Sequence, residues 1–241
     1  MINKLMTLEQ AVAGVRDGMT IMVGGFLATG SPEILMDALV KKGVKHLTVI
    51  ANDGGLDAGQ PAGAFAGKTA RGVGKLLEHH MVDHLIASHI GVNPKINEQI
   101  AEGTLRYTLV PQGTLAEKIR AAAYGLGGVL TPTGVGTPME QEPDELGRPK
   151  KVMEIEGKKF LLELPLHADY SFLRPSLADR FGNYMCAKAT KNFNYVMAGA
   201  STHTIIAPEK LVEIGAVDPD VFQVAGVLVD GIVEGEQRWQ I

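Results

Sequence analysis

A single cysteine, Cys186, stands in 241 residues. That excludes an internal disulfide framework and points to a buried spectator thiol in preference to a nucleophile. A charge excess of either sign is also missing, since 23 basic and 27 acidic residues leave a formal charge of −4. There is then no global electrostatic reason to expect nucleic acid or an anionic membrane as a partner. No apolar run reaches the roughly 20 residues that cross a bilayer, and charged residues near the N-terminus, followed by Glu9, leave no readable export signal. The expected setting is a reducing compartment, the cytoplasm.

Two nucleotide signatures are absent as well. The GGFLATG run at 24–30 lacks the G-x-G-x-x-G spacing that brings backbone against a pyrophosphate. GAFAGKT at 63–69 departs from a phosphate-binding P-loop because Gly63 and Gly67 enclose three residues instead of four, and Ala62 stands where glycine belongs. Helical periodicity would set His80 and His84 at i, i+4, which is metal-ligand spacing. No third ligand is evident, so no metal is assigned.

What is present is a strand–turn–helix in DGMTIMVGGFLATGSP, residues 17–32. Ile21, Met22 and Val23 read as a buried strand, and Gly24 and Gly25 permit a tight turn and close approach of a ligand. Ser31 reads as an N-cap, Pro32 as the first helical residue, and Ile34, Leu35, Leu39 and Val40 as an apolar helical stripe. Unpaired N–H groups at that helix start would favour an anion. Spacing alone leaves ordinary α/β punctuation and a functional loop equally open.

Elsewhere, apolar runs alternate with helical periodicity, which predicts an α/β fold: a mostly parallel sheet covered by helices on both faces, in one domain spanning 1–241. Such a chain is long enough to bury roughly 70 to 75% of its unfolded surface. Strands are expected at 19–24, 46–51, 84–89 and 105–111, and helices at 7–16, 32–42, 69–81, 94–102 and 114–123. Between 138 and 166 the pattern becomes an inserted β-hairpin turned at Glu156 and Gly157. Further strands are expected near 194–199, 203–207 and 222–228. The glycine-rich run 54–74 reads as a long loop.

The 17–32 stretch resembles the N-terminal signature of the family I coenzyme A transferases. Asp17, Gly18, the aliphatic trio 21–23, Gly24, Gly25, Phe26, Gly30 and Pro32 fill each fixed position of that signature. AND at 51–53, SHIGVNP at 88–94, LVPQGTLAEKIRAAAYGLGG at 109–128, LTPTGVGT at 130–137 and LLELPLHAD at 161–169 are similar to that family's α subunit in the same order. The resemblance implies a chain of the acetate or acetoacetate type, of the 3-oxoacid CoA-transferase family. Its implied reaction moves CoA between an acyl-CoA and a short-chain carboxylate, with the CoA thioester as substrate and no further cofactor.

In two-chain members of this family a glutamate of the β subunit attacks the thioester, and a glutamyl-CoA thioester carries the acyl-transfer energy. Its Ser/Glu-Asn-Gly-type motif is absent here. Glu117 lies on a periodic helix, and Glu154, Glu156 and Glu163 belong to the alternating hairpin, where outward charges are expected. The implied partner is therefore a β subunit bearing the glutamate, in an α2β2 assembly.

This chain's expected contribution is the polar edge of the site. Gln112 and Gly113 sit where a strand passes into a helix, the position at which open α/β sheets contact ligands. Asn52 lies at another strand end and the Gly24-Gly25-Phe26 turn, closed by Gly30, at a third. By resemblance, Asn52 and Gln112 lie near the substrate carbonyl, with the glycine turn beneath it. Asp53 departs from members with a second asparagine there. A sugar-phosphate isomerase or ligand-sensing domain of like architecture is the alternative, and a noncatalytic scaffold is a third.

Overall fold

The computed structural model describes residues 3–58 and 69–235. The P-loop-like stretch lies outside the described residues apart from Thr69. Strands β1 (Thr20–Val23), β2 (Leu47–Ala51), β3 (Val82–Ala87) and β4 (Arg106–Leu109) alternate with helices α1 (Leu8–Val12), α2 (Glu33–Lys42), α3 (Val73–Glu78), α4 (Pro94–Ala101) and α5 (Gln112–Ala123). Next come β5 (Val129–Thr131), β6 (Lys151–Ile155) and β7 (Lys158–Glu163), an antiparallel sheet in the order β5-β7-β6. The chain then returns through β8 (Ala168–Leu173), β9 (Leu177–Asp179), β10 (Tyr184–Met185), helix α6 (Phe193–Val196), β11 (Ser201–Ile206), β12 (Leu211–Val212) and β13 (Gly231–Ile232).

The seven-stranded sheet runs β13-β11-β8-β1-β2-β3-β4, and every neighbouring pair in it is parallel. Side chains alternate across it, as strand geometry requires. Ile21, Val23, Val49, Leu85 and Phe172 face a core built with Leu35, Leu39, Leu76 and Ile96 from α2, α3 and α4. Met22, Ile50, Ile86, Leu173 and Ile206 face the other way, against Leu115, Ile119, Phe193 and Met197 around α5 and α6. Burial on both faces accounts for the near-continuous apolar strands in the sequence. Among the described residues no helix is long and apolar enough to cross a membrane.

Chain order in the sheet positions the site. From β1 the chain winds outward to β4, then crosses back to lay β8 on the other side of β1. The carboxyl ends of β1 and β8 therefore flank a topological switch point, where open α/β sheets hold ligands.

Several sequence expectations are corrected. The stretch expected as a strand at 194–199 is helix α6 and its exit. Asn192 accepts the Asn194 N–H, and Phe193 and Met197 bury one turn apart on the same face. At 222–228 only Val224 makes a bridge, to Tyr184, because the 3-10 turn Gly226–Leu228 packs against Phe181 and Asn183. Helix α3 is shorter than expected, since its leading residues are drawn into a bridge between Leu56 and Arg71. The hairpin turns where expected, with Glu156 and Gly157 at φ 51° and 75°, the left-handed pair of a type I′ turn.

Candidate active site

The start of α2 does not serve an anion. Pro32 occupies the N-cap place, and the Glu33 N–H closes an inverse γ-turn onto the Ser31 carbonyl at 3.0 Å. The Ser31 side chain packs instead into the space left by missing Cβ atoms at Gly25 and Gly72. Ser31, Pro32 and Glu33 are all buried, and the gap that Pro32 and Glu33 share with Arg174 and Ala207 has no room for a water molecule.

Asn194, which the sequence reading missed, fills the switch point. Its Oδ1 accepts the Arg174 N–H at 2.9 Å and its Nδ2 donates to the Gly30 carbonyl at 2.9 Å. A Cβ on Gly24 would lie 2.0 Å from that Oδ1, so Gly24 is required by the protein's own packing. A buried asparagine beside a glycine pair leaves no mark in the sequence, because the two are 170 residues apart. Gly30 turns around the same side chain.

Beyond this plug the glycine turn opens into a cleft of about 260 Å³ lined by Phe26, Gln112, Gly113, Lys191, Phe193 and Tyr195, among others. Phe26 is 41% exposed and faces this space. It stands at the root of a two-residue turn closed by Phe26 N–H to Thr29 O at 3.1 Å and Thr29 N–H to Phe26 O at 2.8 Å. The central residues Leu27 and Ala28 have φ of 47° and 63°, a conformation that asparagine and glycine fill more readily. Backbone held in that region needs fixing from outside.

The fixing comes from the end of β2. Asp53 is buried and accepts the Leu27 N–H at 2.8 Å. It also accepts the Gly55 N–H at 2.9 Å and the Asn52 side-chain amide at 2.7 Å. Asn52, itself buried, accepts from Gln112 Nε2 at 2.5 Å and from the Ser88 hydroxyl at 3.2 Å. The ends of β1 and β2 and the start of α5 therefore meet in one hydrogen-bonded line, which gathers Phe26, Asn52, Asp53, Gln112 and Gly113 at one sheet edge. Among the described residues, nothing outside Gly113's own helix and chain neighbours comes within 4 Å of where a Cβ would stand, and Gly113 lies at the cleft.

The histidine pair is not a helical pair. His80 sits in a turn at φ 49° while His84 is inside β3, and the described residues hold no cluster of metal-binding side chains. His84 accepts from the Arg106 guanidinium through Nδ1 at 3.0 Å, so its Nε2 carries the proton given to Thr108 Oγ1 at 2.8 Å. Burial, aided by the Arg106 charge, pushes this imidazole down from 6.5 to about 4. On acidification the unfolded chain takes the proton first. The stability contributed by a neutral His84 is therefore complete above the unfolded value of 6.5, falls as pH drops, and is lost as pH passes about 4. The urea midpoint should drop between pH 7 and 4.5 by more in the wild type than in His84→Asn. Identical pH profiles would contradict this.

The glutamates divide. Glu117 is exposed and held by Arg120 at 2.6 and 2.8 Å, and Glu154 and Glu156 are exposed on the hairpin. Glu163 contradicts the expectation of an outward charge. It is buried, at 2.8 Å from Lys118 Nζ and 3.2 Å from Lys150 Nζ, because alternation along β7 turns Leu161 and Glu163 inward together against α5. Cys186 is buried and its thiol is pushed up to about 12, chiefly by burial, which suits a spectator.

The family model described as "Coenzyme A transferase" matches residues 5–235. The chain is 42% identical over 237 residues to the acetate CoA-transferase subunit alpha of Escherichia coli (strain K12), covering 98% of this chain and 99% of that one. It is 40% identical over 234 residues to the acetoacetyl-CoA:acetate/butyrate CoA transferase alpha subunit of Clostridium acetobutylicum, covering 97% and 99%. Among solved structures, an acyl-CoA transferase from E. coli O157:H7 superposes with a TM-score of 0.74 at 23% identity, covering 95% of this chain. The chain spans 46% of that longer structure, and the likeness there is one of fold.

Proposed function

The chain belongs to the coenzyme A transferase family as an α-type subunit, and from that premise we propose that it serves a short-chain acyl-CoA:carboxylate CoA-transferase of the acetate, acetoacetate or butyrate type. The sugar-phosphate isomerase alternative gives way to this reading. The partner is a β subunit, in an α2β2 assembly working in the cytoplasm, and it carries the attacking glutamate. That carboxylate adds to the thioester carbonyl and CoA thiolate leaves, giving a mixed anhydride. The thiolate then attacks the glutamyl carbonyl of the anhydride, releasing the first carboxylate and leaving a glutamyl-CoA thioester. The acceptor acid runs the same steps in reverse.

Within this scheme the present chain supplies one wall and one hydrogen-bond donor. The observation that carries the reading is the Gln112-Asn52-Asp53 line beside the Phe26 cleft: a polar edge with an amide N–H that has no partner among the described residues, next to a carboxylate, Glu117, already paired with Arg120. Gln112 donates to the oxygen that gains charge when the thioester carbonyl is attacked, Asn52 supports it, and Phe26 and Gly113 shape the acyl pocket, with Gly24, Gly25 and Gly30 buried behind them against Asn194 and Ser31.

The test is reconstitution. Labelled acetate should enter the CoA thioester pool from butyryl-CoA or acetoacetyl-CoA when this chain is mixed with its partner subunit, and should not do so with either chain alone. Transfer by this chain alone would overturn the division of labour. An assembled pair that exchanges neither donor would overturn the substrate class.

A further inference from the structure

Asp53 is an acceptor at both oxygens and a donor at neither. Oδ2 takes the Leu27 N–H at 2.8 Å and the Asn52 amide at 2.7 Å, while Oδ1 takes the Gly55 N–H at 2.9 Å. A side-chain amide has one donating and one accepting end. With its NH2 drawn to Asp53, Asn52 must turn its Oδ1 toward Gln112, and that oxygen receives Gln112 Nε2 and the Ser88 hydroxyl. Gln112 in turn must direct its amide nitrogen, not its oxygen, at Asn52. Its second N–H is then left for the cleft that Gln112 and Phe26 line.

We propose that Asp53 is a positioning residue for CoA transfer: through Asn52 it sets which end of the Gln112 amide faces the reacting carbonyl, and through the Leu27 N–H it holds the turn that presents Phe26. The direction of the line originates at Asp53 because no other member of it lacks a donor. Without the carboxylate the Asn52 amide has no fixed acceptor and either of its ends can meet Gln112, which would let the Gln112 oxygen turn toward developing negative charge. The carboxylate also joins two loops that share no strand pairing at this point, since Leu27 follows β1 and Gly55 follows β2. One buried group thus fixes the electrostatic and the steric wall of the same cleft.

This inference rests on the proposed reading of the site, and the experiment separates the two. In the complex with the partner subunit, Asp53→Ala should lower kcat by about tenfold or more, short of the loss of a whole oxyanion donor, while KM changes by no more than about twofold. In a Gln112→Ala background the same substitution should lower kcat by much less than in the wild type, because only the part of its effect that runs through the Phe26 turn remains. A residue with a structural role only would lower the thermal midpoint, and its effect on kcat would multiply with that of Gln112→Ala; that result overturns the inference. Wild-type turnover in Asp53→Ala overturns it too. If Asp53→Ala does not assemble, Asn52→Ala breaks the line while sparing the Leu27 and Gly55 bonds, and multiplicative effects of Asn52→Ala and Gln112→Ala then overturn it. A wild-type complex without CoA transfer would instead strike the functional reading itself.

Discussion

Gln112→Ala in the assembled enzyme lowers the turnover number by about 10²- to 10³-fold, the scale for removing one donor aimed at developing negative charge. The reason is geometric. Gln112 opens α5 at the end of β4, its side chain is exposed toward the cleft, and its amide nitrogen is anchored by buried Asn52 at 2.5 Å. A donor held from behind in this way is already oriented before substrate arrives, so its contribution appears in the transition state more than in the bound substrate. The Michaelis constant should therefore move little. Because Gln112 is exposed while Leu115, Lys118 and Ile119 on the same helix are buried, the fold should survive the substitution, which circular dichroism would verify. A raised Michaelis constant with unchanged turnover would assign Gln112 to holding the substrate carboxylate.

The second large effect is on stability and lies in α5. Lys118 is wholly buried, with its ammonium 3.0 Å from Glu145 and 2.8 Å from Glu163, and Lys150 reaches Glu163 at 3.2 Å. Two cations and two carboxylates thus neutralise each other where α5, β7 and the 141–150 loop meet. Lys118→Met would leave both carboxylates buried with Lys150 beside Glu163 as the remaining cation, and Glu145 Oε1 already has no hydrogen-bond partner among the described residues. Breaking such a cluster from one side costs about 3–5 kcal/mol. The urea midpoint should fall accordingly, and adding Glu145→Gln and Glu163→Gln to Lys118→Met should recover part of the loss. A cost below about 1 kcal/mol, the range of exposed pairs, would show that water reaches the cluster.

The same helix links the two predictions. Its N-terminus carries the proposed donor and its middle is clamped to the inserted sheet, where the Lys118 carbonyl also receives the Leu166 N–H at 3.1 Å. Damage to the clamp should therefore reduce turnover as well as stability, whereas damage at Gln112 should reduce turnover alone.

Legible in the sequence alone were the parallel, two-faced sheet, the hairpin at Glu156 and Gly157, and the placing of Phe26, Asn52 and Gln112 at the ends of strands. These depend on local chemistry: period-2 apolar runs, left-handed turn residues and strand-to-helix junctions are set by neighbours a few residues apart. What the glycines and charges are for is fixed in the folded chain. Gly24 is small because Asn194 lies against it, Ser31 is turned away from capping because Gly25 and Gly72 make room for it, and Glu163 faces inward because Lys118 meets it there. The role of Asp53 was hidden for the same reason, since its meaning lies in donors from Leu27, Gly55 and Asn52 arriving together. A polar group's function is fixed by its partners, and partners distant in sequence are chosen by packing, which no local pattern encodes.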